Sequence, residues 1–506
     1  MKYLLAHDLG TSGDKATLFS TEGKLMGSAV HSYDTHYFND TWVEQDPDDW
    51  WNAVCESTRG LLASCHTDPA DIAAVSFSGQ MMGCLCVDRE GRPLRPSIIW
   101  ADQRARKQAA RIEEQMTQWD YYRISGHPNT ASYGIQKLMW VKENEPEIYE
   151  RTYKVLNAKD YIIYRLTGNF YTEYSDGNSN GCFDLQRLAW SEEIIACAGV
   201  DYDKLPKLVP STFVAGGVTK DAAAKTGLSA GTPVVMGGGD GVAASVGAGS
   251  VSPGKTYCCL GTSAWVMTCS DQPVFDEQMR TVTWAHIVPG MYAPNGTMQY
   301  AGGSYSWLKN TVCRMECYDA RLDGTSPYDH MNREIAKSAP GAGGVIFLPY
   351  LLGERAPRWN PDARGTFFGI RAETAREDLL RSVMEGITMN LDIILKILQK
   401  TAPIDEILVL GGGARGAVWQ QILADIFGTR VLVPSVLEEA CSMGAAVTAG
   451  VGAGLYKDFS AIDRFLDINC VREPNAANAE CYRKNKEIFD ELYYALLPVF
   501  KKCQKV

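Results

Sequence analysis

The apolar run Pro233-Val234-Val235-Met236 stops abruptly in Gly237-Gly238-Gly239-Asp240-Gly241. A β-branched strand that ends in consecutive glycines lets backbone come close to a bound molecule. An acid at that point can face the molecule. Tyr3-Leu4-Leu5-Ala6-His7-Asp8 is a second strand-like run, followed by Leu9-Gly10-Thr11-Ser12-Gly13. Leu260-Gly261-Thr262-Ser263 supplies a third turn of this kind. Two strand-end aspartates and two Gly-Thr-Ser turns in one chain point to phosphate held beside an acid or base. That is the core of a phosphotransferase.

Around these turns the chain alternates strand and helix signals. Residues 4–8, 14–20 and 25–31 read as strands, joined by Gly10-Thr11-Ser12-Gly13 and by Thr21-Glu22-Gly23-Lys24. Asp46-Pro47-Asp48-Asp49 opens a helix: an acidic cap, proline in the first turn, acids at the positive end of the dipole. Residues 72–78 predict a buried strand that ends at Gly79. A long helical region is expected after Asp102, then an amphipathic helix over residues 133–144. Residues 206–210 and Gly216-Gly217 read as loops ahead of the Pro233 strand. Small residues over 243–254 predict a helix running into a junction near 250–255.

Beyond that junction, residues 256–260, Gly261-Thr262-Ser263 and residues 264–269 repeat the strand–turn–strand order of residues 4–19. A long helix is expected over 376–398 and a strand over 404–410 that stops in Gly411-Gly412-Gly413. A helix (418–427), a strand (431–434), a small-residue helix (442–454) and a C-terminal amphipathic helix follow. This alternation predicts an α/β protein in two domains, residues 1–250 and 251–506.

With 506 residues the chain is long enough for two or more domains, each with its own core. Asp and Glu number 60 against 49 Lys and Arg, a formal charge of −11, and no basic run is present. Nucleic acid and an anionic membrane are therefore not expected partners, although backbone N–H groups can still hold phosphate. Lys2 and Tyr3 lead into a strand rather than a secretory leader. No run reaches the ~18 apolar residues of a membrane helix. The 15 scattered cysteines read as reduced, buried thiols of a cytoplasmic enzyme. Cys84-x-Cys86 and Cys258-Cys259 read as packing, because no zinc-type spacing with a downstream histidine accompanies them.

Taken together, the motifs resemble the FGGY carbohydrate kinases over nearly the whole chain, and within that family the xylulokinase pattern. Asp8-Leu9-Gly10-Thr11-Ser12 is similar to the first phosphate motif, and Glu44-Gln45-Asp46-Pro47 with Trp50-Trp51 to the segment after it. Gly79-Gln80-Met81 is similar to the sugar-binding turn, Trp100-x-Asp102-x-Arg104 to the next loop, and Gly237 to Asp240 to the catalytic strand end. Leu348-Pro349-Tyr350-Leu351 with Gly353-Glu354-Arg355 and Pro357 resembles a C-terminal-domain motif. Gly365-x-Phe367-Phe368-Gly369-Ile370, running on to Glu385, resembles the second signature, and Gly411 to Arg415 the adenosine motif. Gly134 stands where the first signature has Pro, Ser or Thr, Met82 where xylulokinases carry His, and Gly241 where they carry Asn. Gln80-Met81-Met82 also lacks the Arg-Glu expected of glycerol kinases.

The resemblance implies a duplicated actin/hexokinase-like (ribonuclease H-like) fold, with a mixed sheet in each domain and a cleft between them. It implies ATP-dependent phosphorylation of a terminal hydroxyl on a small sugar. D-Xylulose leads; another ketopentose, an erythritol-like polyol or an aldonate is the alternative. Asp240 would be the general base, and Asp8 would orient Mg²⁺ through water. Gly10, Thr11, Ser12, Gly261 and Thr262 would hold the phosphates, and Gly302, Gly412, Gly413 and Arg415 the adenosine. Gln80, Met81, Met82, Asp102, Arg104 and Asp240 would face the sugar. Two residues carry a second reading, Arg104 as a structural partner of Asp102 and Trp100 as core. Strand alternation turns His7 away from the site. A homodimer is compatible with the family. Two rival classes remain: a nucleotide-gated chaperone or filament protein on the same fold, and a sugar sensor without catalysis.

Overall fold

A computed structural model describes residues 2–503. Its first six-stranded sheet uses β1 (Tyr3–Leu9), β2 (Gly13–Ser20), β3 (Leu25–Ser32), β4 (Ile72–Gly79), β5 (Val214–Gly217) and β6 (Pro233–Gly239). They lie in the order β5-β6-β4-β1-β2-β3. β1, β4 and β6 are parallel, while β2, β3 and β5 run antiparallel to their neighbours. The central strands are almost wholly buried, which suits parallel strands covered on both faces.

The second sheet uses β7 (Thr256–Leu260), β8 (Ala264–Thr268), β9 (Val282–Ala285), β10 (Tyr292–Met298), β11 (Glu406–Leu410), β12 (Arg430–Pro434) and β13 (Ile468–Arg472), ordered β9-β10-β8-β7-β11-β12-β13. β7, β11 and β12 are parallel, and β8, β10 and β13 antiparallel. Setting β7-β8-β10-β11-β12 on β1-β2-β3-β4-β6 superposes the two strand orders, with one extra strand, β9, at the far edge. The repeat of strand, Gly-Thr-Ser turn and strand is therefore the opening hairpin of each half.

Helix α1 (Pro47–Ser64) is capped as its sequence predicts, with Asp46 accepting from the Asp48 N–H (2.9 Å). α2 (Gly134–Asn144), α3 (Asp240–Gly247), α4 (Arg376–Leu398) and α5 (Ala440–Gly452) carry the rest of the argument. The region after Asp102 is not one long helix but two short ones, Arg106–Glu113 and Gln118–Ser125. Residues 207–209 and 214–217 are strands rather than loops, because the first pair with residues 171–173 and the second, β5, with the edge of β6. The helix expected over 243–254 starts at Asp240 and ends at Gly247.

Each half has its own core, but a third cluster belongs to both. α3 and α5 lie between the sheets, and Leu4, Ala74 and Val235 of the first sheet join Tyr257, Met267 and Leu408 of the second around Val242, Val246, Met443 and Val447. α5, late in the chain, packs on β1, β4 and β6 of the first sheet. The two helices cross at backbone distance. A Cβ on Gly444 would lie 1.9 Å from the Ala243 carbonyl oxygen, and one on Gly247 1.8 Å from that of Ala440. The small residues that marked these helices in sequence are required by that crossing. No described helix is long and apolar enough to cross a membrane.

Candidate active site

Parallel pairing sets three strand ends side by side. Asp8 of β1 is opposite Ser78 of β4, and Gly239 of β6 is opposite Gly79. Ser78 Oγ donates to Asp8 Oδ1 (2.9 Å). Asp240 follows β6 as the first residue of α3, and its Oδ1 accepts the Gly241 N–H (2.7 Å). Solvent reaches the Asp240 side chain, and Cys441 Sγ of α5 donates to its carbonyl (3.6 Å). Burial, then the charge of Asp8, pushes its carboxyl up to about 6, against the pull of the Gly241 N–H. Burial raises Asp8 as well, opposed by Ser78 and by Lys15.

The three glycines before Asp240 do not hold space open for a ligand, as their sequence implied. Gly237 has φ +72° at an irregularity in β6, and a Cβ there would lie 1.9 Å from the Phe77 carbonyl oxygen. A Cβ on Gly238 would meet Ile287 (2.5 Å), and one on Gly239 would meet Met81 (2.5 Å). Protein fills the space, so the glycines aim Asp240 rather than admit the ligand. Gly239 N–H donates to Ser175 Oγ (2.9 Å), and Ser175 Oγ donates to Glu173 Oε1 (2.5 Å). Behind them Lys159 Nζ stands 2.9 Å from Asp160 and from Asp176, and 3.4 Å from Glu173, all with no exposed side-chain surface. Burial raises Asp160 and Asp176 despite that lysine. None of Ser175, Glu173 or Lys159 was legible beforehand, since their segments carry no periodic or motif signal.

The Gly10–Gly13 turn is pinned from outside. Gly10 N–H donates to the Gly13 carbonyl (3.0 Å), Gln45 Nε2 to the Thr11 carbonyl (2.6 Å), and Trp100 Nε1 to Thr11 Oγ1 (3.0 Å). Trp100 is 40% exposed, so it is not core; it forms part of the wall beside this turn. The facing turn is clasped by a second loop. Ala301 and Gly303 N–H donate to the Thr262 carbonyl (2.8 and 3.0 Å), and Gly302 N–H to that of Gly261 (2.9 Å). Thr262 and Ser12 are exposed. Gly411 has φ +84°, and Gly412 has open space where a side chain would stand. Arg415 is exposed and pairs with Glu438 (2.6 Å).

In the Gln80-Met81-Met82 turn, Gln80 Nε2 donates to Gln45 Oε1 (2.8 Å) and its N–H to the Leu9 carbonyl (2.9 Å), and Met81 packs on Gly239. Met82 has φ +62°; its N–H donates to Ser179 Oγ (3.0 Å) and its carbonyl accepts from Lys137 Nζ (2.7 Å). Asp102 and Arg104 do not reach the cleft as they stand, and the structural reading of the pair holds. Asp102 takes the Val43 N–H (2.6 Å) and the Arg104 guanidinium (2.7 Å), neither with exposed side-chain surface. Arg104 also holds Glu44 (2.7 Å) and lies 4.0 Å over the Trp42 ring. His7 faces the opposite side and pairs with Asp14 (2.9 Å).

Lys137 of α2 was missed. Its ammonium is fully buried and meets three carbonyls, Met82 (2.7 Å), Ile99 (2.8 Å) and Ser132 (2.5 Å). Burial pushes it down to about 7. Its spacing of four from both Tyr133 and Val141, which are buried, was the available signal.

Comparison with known proteins decides the family. The N-terminal domain of the FGGY family of carbohydrate kinases matches residues 3–247, and the C-terminal domain residues 256–453. The chain belongs to the FGGY carbohydrate kinases. It is 32% identical to a gluconokinase from Bacillus licheniformis, covering 98% of this kinase and 96% of that protein. It is 33% identical to a xylulose kinase from Staphylococcus epidermidis, covering 97% and 96%. A ligand-bound xylulose kinase from Lactobacillus acidophilus superposes with a TM-score of 0.91 at 27% identity, over 99% of this kinase and all of that chain.

If Asp240 is the base, the kinase's pH profile follows from it. A base must be ionised to take a proton, so a carboxyl held at about 6 would act above that pH and be lost as pH falls through it. Turnover under saturating substrates is expected to fall tenfold per unit below about pH 6. A profile flat down to pH 4.5 would contradict the assignment.

Proposed function

We propose that this ATP-dependent sugar kinase phosphorylates the terminal hydroxyl of D-xylulose, giving D-xylulose 5-phosphate. Asp240 takes the hydroxyl proton as the oxygen bonds to phosphorus. Thr11, Ser12, Gly261 and Thr262 receive the phosphates between the facing turns. Asp8 fits a magnesium ion: Ser78 occupies Oδ1, Oδ2 meets no donor among the described residues, and burial leaves the carboxylate short of positive charge. Bound there, the ion would neutralise charge on the phosphates. Gly302, Gly412 and Gly413 would line the adenosine pocket.

One observation carries the choice of sugar. The cations behind the sugar-side segments are already engaged: Lys137 with three carbonyls, Arg104 with Asp102 and Glu44, Lys159 with three carboxylates. An aldonate would bring a carboxylate that these cations cannot meet without leaving buried groups unpaired. A neutral ketopentose makes no such demand. The aldonate reading draws on the gluconokinase relative and on Met82 and Gly241, where xylulokinases carry polar side chains. Sugar-dependent ADP release across D-xylulose, erythritol and D-gluconate separates them. D-Xylulose is expected to exceed D-gluconate in kcat/KM by at least about a hundredfold. Preference for gluconate would overturn the substrate, and no sugar-dependent release with any acceptor would favour a sensor.

A further inference from the structure

We propose that Arg355 binds the phosphate chain of the nucleotide. The inference rests on the ATP-dependent reaction of the family and not on which sugar is phosphorylated. Arg355 lies in the loop after the strand Ile346–Leu348, within Gly353-Glu354-Arg355. Its neighbour Glu354 is buried and spends its acceptors on neutral donors. Oε1 takes the Gln299 N–H (2.5 Å) and the Arg355 N–H (2.9 Å), and Oε2 takes Asn390 Nδ2 (2.9 Å).

Those bonds bolt the loop to the phosphate turn. Gln299 follows β10, whose last residue, Met298, pairs with Ala264 immediately after the Gly261-Thr262-Ser263 turn. Ala301, Gly302 and Gly303 then donate into that same turn. Gln299 thus links the backbone beside Arg355 to the loop that clasps Gly261 and Thr262.

The Arg355 guanidinium feels the charge of neighbouring Glu354 but makes no close ion pair with it among the described residues. Its Nε is buried without a hydrogen-bond partner, and among the described residues it forms no ion pair. Other arginines of this half hold a carboxylate: Arg358 with Asp490, Arg381 with Glu385 and Arg415 with Glu438, each at 2.6 Å. Burial lowers the Arg355 pKa although the charge of Glu354 beside it opposes the shift. Such a cation is stabilised by an arriving anion, and a planar fork suits phosphate oxygens. The anion that the Gly261-Thr262 turn would receive is the nucleotide's phosphate chain.

The test compares wild type with Arg355→Met and Arg355→Lys, titrated with adenosine, ADP and a non-hydrolysable ATP analogue, alongside turnover of the best acceptor. Affinity loss in Arg355→Met is expected to grow with phosphate number, negligible for adenosine and at least about tenfold for the ATP analogue. Arg355→Lys, keeping the charge without the fork, should recover part of it. Equal loss for all three ligands would show a structural role and overturn the proposal. So would unchanged nucleotide affinity, or an effect confined to the KM of the sugar. A wild-type protein that binds no nucleotide would instead defeat the kinase reading, before any variant is compared.

Discussion

Asp240→Asn is expected to lower turnover by about a thousandfold at pH 8, within the range a positioned base supplies. The amide keeps the shape of the carboxylate and its contact with the Gly241 N–H, but it cannot take the hydroxyl proton. Affinity for the ATP analogue should stay within threefold. Stability should move the other way. A carboxyl raised in the folded state favours folding below its unfolded pKa, and that advantage is lost as pH rises through about 6. At pH 8 the native enzyme therefore holds an ionised acid that folding disfavours, and the asparagine relieves it. Thermal unfolding at pH 8 should show the variant no less stable than wild type. Residual turnover within tenfold of wild type would remove Asp240 from the role of base.

Lys137→Met is expected to destabilise the kinase by at least about 3 kcal/mol and to raise the sugar KM more than the ATP KM. Three buried carbonyls lose their donor at once, and each unsatisfied group costs about 1–3 kcal/mol. The carbonyls belong to Met82, Ile99 and Ser132, so one ammonium ties the Gln80-Met81-Met82 turn, the loop that presents Trp100, and the entry to α2. Letting them drift would misplace the wall proposed to face the sugar, while the two Gly-Thr-Ser turns keep their own bonds. Urea unfolding with steady-state kinetics checks both halves of the expectation. A variant of native stability, or one that raises only the ATP KM, would show that Lys137 does not organise this wall.

Much of the fold was legible because its signals are local. Strand alternation placed β1, β2, β3 and β4 within a residue or two, and Asp46-Pro47 marked the start of α1. The repeat of a Gly-Thr-Ser turn between strands disclosed the duplication, since the same hairpin opens each half. β5 was missed because Gly216-Gly217 carries a loop composition, and its strand character comes only from pairing with β6. The single long helix after Asp102 failed because residues 114–117 break it.

The site was legible where chemistry demands a particular side chain at a strand end. Asp8, Asp240, Thr11 and Thr262 stand out from sequence because strand-end acids occur together with two Gly-Thr-Ser turns, whereas each turn alone would read as a plain hairpin. Asp102 and Arg104 look equally polar in sequence, yet they are sealed against Glu44, Trp42 and Trp140. Trp100 looks like core and is exposed.

Sequence alone determined the family of this kinase, which strand ends carry acids, where the Gly-Thr-Ser turns lie, and that the arrangement occurs twice. Those features lie within a few consecutive residues, where backbone geometry and side-chain type act together. Only the tertiary structure decided what each polar group already holds. Asp240 is aimed by Phe77, Met81 and Ser175, Lys137 is consumed by three carbonyls, and Arg355 Nε is buried with no hydrogen-bond partner among the described residues. Those partners come from distant parts of the chain, and whether a buried charge is satisfied depends on all of them at once.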